Sequence, residues 1–411
     1  MIYTSKCMSC LFGCAKHKQF TKQRLKNMDI HYNILLEVCT AGKLRNQADD
    51  WRQNMKYYIP TKVYQEIDAV KVHAEELAGY GSYALIVTGK YSARANGALA
   101  DVEAALDAYG KKHVQYDGIE ENPSVETVMK ATEFGKRNGV DFVIGSPMDA
   151  AKAIAIMLAN PEKDAEYLYE SAAHTKALPV VTIPTTCGTG SEVTGVAVLT
   201  VHAKRTKASL PHRVFPVLAL ADPKYLKTAS KKVIGQTAID ALGHMIESYL
   251  NTTATDYSRM FVDQGLKVWA RSKDALLGMR EMTDEDYSNF LLASTLAGMA
   301  IAQTGTTIPH SLSYAITYEL GVPHGIAIGY FLPGYIREAD AADQEYLLSA
   351  IGFASVDEFA DFFQVVSDCG ILPEENIRQV VDIVADNKAK LALCPYPLDK
   401  EVLLRIASWG K

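Results

Sequence analysis

The stretch AIDALGHMIESYL, residues 238–250, carries Asp240, His244 and Glu247 among apolar residues. The stretch is typical of a helix, and spacings of four and three residues place the three side chains on or near one helix face. Charged groups are rarely buried unless they are paired or bind a metal. Asp240 and His244 therefore indicate either a hydrogen-bonded surface pair or half of a metal site.

Two further histidines favour the metal site. His310 begins the predicted helix PHSLSYAITYEL, and His324 follows Gly321-Val322-Pro323, where one helix can end and another begin. One carboxylate and three imidazoles suit Zn²⁺ or Fe²⁺ and leave room for a substrate oxygen. The alternative is that His310 only starts a helix and His324 lies in a loop, each hydrogen-bonded and inert.

The elements that position these residues follow two patterns. The predicted strands are SYALIVTG, KHVQYD, VDFVIG and LPVVTIP, and the predicted helices between them are ALADVEAALDAYG, VETVMKATEFGKRNG and SPMDAAKAIAIML. This alternation predicts a mostly parallel sheet with helices on both faces, which binds ligands beyond the carboxyl ends of its strands. After residue 223 the pattern is helical. We predict an α/β domain over residues 55–223, an all-helical domain over 224–411, and a cleft between them.

Residues 1–54 differ from the rest. No acidic residue occurs between Met1 and Met28, although the segment is rich in lysine. Cys7, Cys10 and Cys14 have a spacing that suits zinc or an iron–sulfur cluster, but the second half of a zinc-finger pattern is missing. We expect a poorly ordered extension rather than a metal site.

The composition narrows the possible functions. The 411 residues are 48% hydrophobic and 22% charged, as in an ordinary globular chain of two or three domains. A net charge of −6 gives no electrostatic reason to expect nucleic acid as a partner. No apolar run is long enough for a membrane span. The seven cysteines are scattered rather than arranged as a disulfide framework, which favours a reducing, cytoplasmic location.

From about Met55 to its end, the chain resembles the iron-containing (group III) alcohol dehydrogenases. The similarity is carried by IPTTCGTGSEVTGVAVLT, LALADP, AIDALGHMIES, AGMAIAQTGTTIPHSLSY and GVPHGIAIGYFLPG. It implies an α/β dinucleotide-binding domain followed by an all-helical metal-binding domain. It also implies that Glu247 supports a ligand and that Fe²⁺ or Zn²⁺ is bound by Asp240, His244, His310 and His324.

The resemblance also implies a nicotinamide cofactor. PTTCGTGSE is similar to the family's loop beside the nicotinamide, although a Gly/Thr-rich stretch on its own is simply a turn. Lys207 corresponds to the family's cofactor-facing lysine. The candidate cofactor residues are Gly89, Lys90, Gly145, Ser146, Asp149, Thr185, Thr186, Thr189, Ser191 and Lys207.

Tyr314 stands where the family usually has another active-site histidine. A tyrosine can donate a hydrogen bond or relay a proton, but its pKa of about 10 makes it a poorer acid–base group at neutral pH. Tyr314 is therefore the candidate catalytic residue, with core packing as the alternative.

Gly89 stands where members that favour NAD often carry an aspartate. Without that charge a 2′-phosphate is not repelled, so NADP(H) is favoured and NAD(H) is possible. Near the domain start, VYQEI also loses a glycine of the family pattern VYFG.

The phosphate-binding turn, VIGSPMDAAKA, is about four residues shorter than the family's glycine-rich turn. We expect Ser146 to cap the following helix, Pro147 to take its first position, and Asp149 to return a hydrogen bond to the cap. The missing part is the flexible backbone that lets a pyrophosphate approach the helix.

The resemblance implies a metal-dependent and NAD(P)-dependent alcohol dehydrogenase or aldehyde reductase, acting on small primary alcohols or aldehydes as a homodimer or higher homo-oligomer. Two alternatives stay open. One is a cofactor-impaired member that serves as a metal-binding or assembly protein. The other is a metal-dependent hydrolase, since Asp and His on helices also activate water.

Overall fold

The computed structural model describes residues 56–171 and 174–408. The predicted N-terminal extension and its cysteines lie outside the described residues. Lys56–Lys411 form one compact unit, and a domain boundary at residue 223 stays a prediction.

The strands all precede residue 222 in the described part of the chain. They are β1 (Lys62–Gln65), β2 (Tyr83–Val87), β3 (Lys112–Tyr116), β4 (Phe142–Gly145), β5 (Val180–Thr182), β6 (Val198–Val201), β7 (Thr206–Ser209) and β8 (Leu218–Ala221). Six of them form a parallel sheet in the order β1-β8-β5-β4-β2-β3, while β6 and β7 form an antiparallel hairpin. The four predicted strands are confirmed as β2 to β5. The sequence patterns missed β1, β8 and the β6–β7 hairpin.

The helices of the first half alternate with these strands. They are α1 (Ala69–Val72), α2 (Ala74–Ala78), α3 (Ser92–Ala95), α4 (Ala98–Ala108), α5 (Val125–Asn138) and α6 (Met148–Ala159). The sequence sets the ends of α5: the Ser124 hydroxyl accepts a hydrogen bond from the Thr127 N–H, and Gly139 ends the helix at a left-handed φ of 69°.

Beyond β8 the described chain is helical. The helices are α7 (Lys231–Tyr249), α8 (Asp256–Ala270), α9 (Lys273–Leu277), α10 (Asp284–Thr304), α11 (Ile308–Leu320), α12 (His324–Arg337), α13 (Ala341–Ile351), α14 (Val356–Ser367), α15 (Glu374–Ala385), α16 (Lys388–Leu391) and α17 (Lys400–Ala407). The predicted fold class, a mostly parallel sheet followed by a helical region, is confirmed.

Separate cores hold the two halves. Two apolar clusters cover the sheet, one including Leu85 and Val143 and the other Ile86 and Ile144, and these residues alternate along β2 and β4. A larger cluster fills the helical half, with α7 running through it. Residues at the buried centre of α7 are thereby fixed in position, including Asp240 and His244.

Within residues 56–171 and 174–408, no single helix is long and apolar enough to cross a membrane. The bent pair α10 and α11, at 109° to each other, meets the same criteria of length and composition when taken together.

Candidate metal and cofactor site

A cleft of about 410 Å³ lies at the carboxyl edge of the parallel sheet. Its walls come from the turns that follow β2, β3, β4 and β5, from the β6–β7 hairpin, and from α7 and the start of α12. Parallel strands gather the turns at their carboxyl ends on one side, which is where such sheets bind ligands. Asp240 and His324 lie at the end of the cleft formed by the helices.

Asp240, His310 and His324 bring one ligand atom each to within 4.8 Å of one another. Asp240 Oδ1 lies 3.6 Å from His310 Nε2, and both atoms are buried. Neither atom has a hydrogen-bond partner among the described residues, and the same is true of His324 Nδ1. Buried polar atoms normally have partners. A carboxylate and imidazoles that converge without partners fit a divalent metal ion.

His244 lies beside this group rather than within it. Its Nε2 is 3.9 Å from Asp240 Oδ1, and its ring stacks on that of His310 with centroids 4.4 Å apart. The Nδ1–H of His244 donates to the Gly188 carbonyl at 3.2 Å. A neutral imidazole that donates through Nδ1 keeps its lone pair on Nε2, so His244 presents a possible ligand atom to the same group.

The charge states of Asp240 and His324 also suit a cation. Burial by itself raises the pKa of Asp240, but the surrounding histidines lower it well below the usual range, so the carboxylate is ionised. Burial and the nearby Lys207 ammonium hold the pKa of His324 well below its usual value. An ionised carboxylate and a neutral imidazole are the protonation states that metal ligands need.

Glu247 supports His310 from behind. It is fully buried, and Oε1 accepts hydrogen bonds from the His310 ring Nδ1–H and, at 3.2 Å, from the His310 N–H. Oε2 accepts from the N–H and, at 3.1 Å, the hydroxyl of Thr307. A carboxylate that receives Nδ1–H fixes the ring and leaves Nε2 as the ligand atom.

Most of the predicted cofactor residues line the cleft, and two do not. Lys90 is exposed outside it, and Gly145 is buried as the last residue of β4. The cleft is lined by Gly89, Ser146, Asp149, Thr185, Thr186, Thr189, Ser191 and Lys207.

The predicted capping of α6 is wrong. The helix begins at Met148 after Pro147, with no side-chain capping hydrogen bond from Ser146 or Asp149. The Asp149 carboxylate instead accepts from the Ser191 hydroxyl at 2.5 Å and the Val198 N–H at 2.8 Å. Partners more than forty residues away have replaced the local ones, so Asp149 connects α6 to the neighbouring loop.

Tyr314 and Lys207 lie near His324. The Tyr314 ring stacks at 5.9 Å from the His324 ring, but Tyr314 does not line the cleft and its hydroxyl interacts with Thr306. Burial raises the pKa of Tyr314. Lys207 does line the cleft, donates to the Asn122 side chain at 3.0 Å, and has a pKa lowered by burial.

The turn after β3 was not recognised from the sequence. Glu120, Glu121, Asn122 and Pro123 all line the cleft, and Asn122 has a left-handed φ of 57°. The signal was present, because an Asn-Pro pair followed the predicted strand KHVQYD at its carboxyl end.

The chain is similar in sequence and in fold to known proteins. Residues 60–223 match the family model of the iron-containing alcohol dehydrogenases, and residues 234–402 match the model of the C-terminal region of the same family. A long-chain primary alcohol dehydrogenase of Thermoanaerobacter ethanolicus is 32% identical, over 62% of this chain and 65% of that protein. An NADPH-dependent butanol dehydrogenase of Clostridium saccharobutylicum is 27% identical, over 82% of this chain and 85% of that protein.

The crystal structure of an iron-containing alcohol dehydrogenase from Thermotoga maritima superimposes with a TM-score of 0.79. It is 34% identical, and the match covers 85% of this chain and 98% of that one. The chain belongs to the iron-containing alcohol dehydrogenase family.

Proposed function

We propose that the chain is a metal-dependent and NAD(P)-dependent alcohol dehydrogenase or aldehyde reductase that acts on small primary alcohols or aldehydes. The observation that carries this proposal is the convergence of Asp240, His310 and His324, without hydrogen-bond partners, at one end of the cleft. The rest of the cleft is built from the turns where a parallel sheet takes a dinucleotide.

Asp240, His244, His310 and His324 would hold Fe²⁺ or Zn²⁺, which supplies Lewis acidity toward a substrate oxygen. The nicotinamide supplies the hydride, and the protein supplies placement and charge. Thr185, Thr186 and Thr189 orient the cofactor from the loop after β5. Lys207 places a positive charge in the wall of the cleft, near enough to His324 to lower the pKa of that imidazole.

We assign the proton-donor role at the alkoxide to Tyr314, to a ribose hydroxyl of the cofactor or to a water in the cleft. The raised pKa keeps Tyr314 protonated at neutral pH, so it can hold a proton. Tyr314→Phe removes the tyrosine hydroxyl together with its contact to Thr306. The variant therefore tests Tyr314 against the other proton sources. A loss of turnover in this variant with unchanged metal content supports Tyr314, and unchanged turnover supports the ribose hydroxyl or water.

The test of the function uses the purified full chain. Bound metal is measured by elemental analysis, and short aldehydes are screened with NADPH and NADH by following cofactor absorbance. We expect one divalent metal per chain and cofactor oxidation with at least one aldehyde. Bound metal without any nicotinamide-dependent turnover would overturn the proposal and return the metal-dependent hydrolase to consideration.

Cofactor choice gives a sharper prediction. NADPH should be used at least as well as NADH, because Gly89 carries no charge to repel a 2′-phosphate. A Cβ added at Gly89 meets the Ile119 carbonyl at 3.4 Å and the Ser92 hydroxyl at 3.9 Å, so Gly89→Asp fits. This variant should shift the ratio of kcat/KM values toward NADH by roughly tenfold, as expected for one close charge pair.

Gly89→Ser is the matched control, since it adds a side chain without charge. A wild type that strongly prefers NADH would contradict the prediction.

One observation favours a second candidate, a member with impaired cofactor binding. Ser146 N–H donates to the Val87 carbonyl at 3.4 Å, and Pro147 has no N–H. Ser146 and Pro147 therefore offer no free backbone donor, and a phosphate is left with the free N–H groups of the first turn of α6. Fluorescence titration with NADPH separates weak binding from none, and no binding at millimolar cofactor would support this candidate.

A further inference from the structure

Lys152 is fully buried on α6, one turn beyond Asp149. Its ammonium donates to the Ser191 carbonyl at 2.7 Å, the Ser191 hydroxyl at 2.6 Å and the Val196 carbonyl at 2.8 Å. A fourth contact, at 3.3 Å, reaches the Thr194 hydroxyl. A buried ammonium is costly unless it is fully hydrogen-bonded, and these acceptors all belong to one short segment, residues 191–196.

Two carboxylates balance this charge. Asp149 Oδ1 lies 3.8 Å from the Lys152 ammonium, and Glu192, which is almost fully buried, also faces it. Burial lowers the pKa of Lys152 to about 8, and the two carboxylates oppose that shift. The ammonium is therefore charged at neutral pH and can use all its donors.

The other side of the same segment rests on the helical half. A Cβ on Gly190 would lie 2.4 Å from the Gly298 Cα, so the backbones touch there. Glu192 accepts a hydrogen bond from Thr295 at 2.8 Å. α10 thus fixes one side of the segment, and Lys152 with Asp149 attaches the other side to α6.

The segment continues into the wall of the cleft. Thr189 and Ser191 line the cleft, whereas Lys152, Glu192 and Thr194 do not. Lys152 therefore does not line the cofactor cleft itself and acts on it through Ser191 and Asp149, which do.

We propose that Lys152 is a positioning residue, which holds the Thr189–Ser191 backbone in the conformation that binds the nicotinamide cofactor. The inference rests on the proposed function. The hydrogen bonds join α6, the helix that follows the shortened turn, to the loop after β5. The cofactor must contact both the shortened turn and this loop. Because the turn between β4 and α6 offers few backbone donors to the cofactor, the position of the loop after β5 has the larger effect on cofactor affinity.

The test compares Lys152→Met, Lys152→Arg and, as a matched control, Lys130→Met on the exposed side of α5. Cofactor Kd is measured by NADPH and NADH fluorescence, metal by elemental analysis, and backbone protection of residues 189–196 by hydrogen exchange. Lys152→Met should keep its metal, lose protection in that segment, and raise cofactor Kd and KM by roughly tenfold to a hundredfold with a smaller change in kcat. Lys152→Arg should recover part of the loss, and Lys130→Met should behave as wild type.

Wild-type cofactor Kd together with wild-type protection in Lys152→Met would overturn the inference. If that variant does not fold, Lys152→Gln takes its place, since its shorter, uncharged amide cannot reach all of these acceptors, and an unchanged Kd with unchanged protection in Lys152→Gln then overturns the inference. If wild type binds no nicotinamide cofactor, the proposed function fails. Hydrogen exchange then decides the positioning role: unchanged protection in Lys152→Met rejects it, and lost protection supports it.

Discussion

At the scale of single residues, the metal-ligand candidates differ in how each is held. Glu247 fixes the ring of His310, and the Gly188 carbonyl fixes that of His244. His324 begins α12 and stacks on Tyr314. Asp240 takes its position from the buried centre of α7. These independent supports each hold one side chain in place, which reduces the cost of assembling the site.

His324→Ala and His244→Ala should each lower metal affinity by at least about a hundredfold, because removing a ligand costs more than removing its support. Elemental analysis after dialysis measures this loss. His113→Ala, on β3 and away from the group, is the control and should keep its metal. Full metal content in either of the first two variants would mean that the residue is not a ligand.

The sequence identified the residues that converge, because Asp240, His310 and His324 carry recognisable spacing and family motifs. The sequence did not predict the role of a residue whose contacts are with residues far away in the chain. Asp149 suited a local cap but bonds Ser191 and Val198. Gly145 suited a phosphate turn, yet a Cβ there would lie 2.5 Å from the Ala151 Cβ, so its place is set by strand–helix packing.

At the scale of elements, strand β8 was missed because it contains only leucine and alanine, with none of the β-branched or aromatic residues typical of strands. β1 also reads as polar, since Lys62 and Gln65 belong to it. Strands β1 and β8 are recognisable only in the sheet, where they pair with each other. Val63 lies opposite Ala219, and Tyr64 lies opposite Leu220. The longer helices were predicted well because their apolar periodicity and their end signals are local.

The turn between β4 and α6 gives an element-scale prediction. Inserting Gly-Ile-Gly-Gly between Ile144 and Gly145 should restore free backbone donors near the α6 N-terminus. One or two added bonds to phosphate, at about 1.5–3 kcal/mol each, would tighten NADPH binding by about tenfold to several thousandfold. Metal content should not change, since no ligand candidate lies on β4 or α6.

Fluorescence titration measures the effect of this insertion. Ala-Ile-Ala-Ala at the same place is the control for length, and it should tighten binding less because the added backbone is stiffer. Low-micromolar NADPH affinity in the unmodified protein would show that the missing residues are not needed.

The start of α10 gives a second prediction at this scale. Asp286 is buried and accepts from the Thr283 N–H and hydroxyl, both at 2.8 Å, while the Arg280 guanidinium contacts both its oxygens. Asp286→Asn should lower the free energy of unfolding by about 1–2 kcal/mol at pH 7. Glu285→Gln, exposed in the same turn, should have little effect.

The pH dependence of this effect has a definite sign. Burial by itself raises the pKa of Asp286, but Arg280 and Thr283 lower it below its usual value. The stabilisation is therefore complete above the unfolded-state pKa of about 3.9 and is lost as pH falls through the folded-state pKa. Denaturant melts should show the full difference between wild type and Asp286→Asn at pH 7 and a shrinking one below about pH 4. A difference that grows in acid would contradict this assignment.

At the scale of the whole molecule, the sheet half and the helical half meet through the loop after β5. A Cβ on Gly188 would lie 2.8 Å from the Thr237 carbonyl of α7, and Gly190 contacts Gly298 of α10. Such close approaches need glycine, which explains why CGTG lies here. The same loop thus lines the cofactor cleft and touches the helix that carries Asp240 and His244.

Both family matches, residues 60–223 and 234–402, lie within the compact unit Lys56–Lys411. A protein beginning at Met55 should therefore fold, bind metal and keep the activity of the full chain. Its melting temperature, metal content and kcat/KM are compared with those of the full chain, and all three should agree. A second truncation beginning at Val70 removes β1, which pairs with β8 along four residues, and should unfold. If the Met55 truncation is instead insoluble or inactive, the first residues are part of the functional fold, and the site described here is incomplete without them.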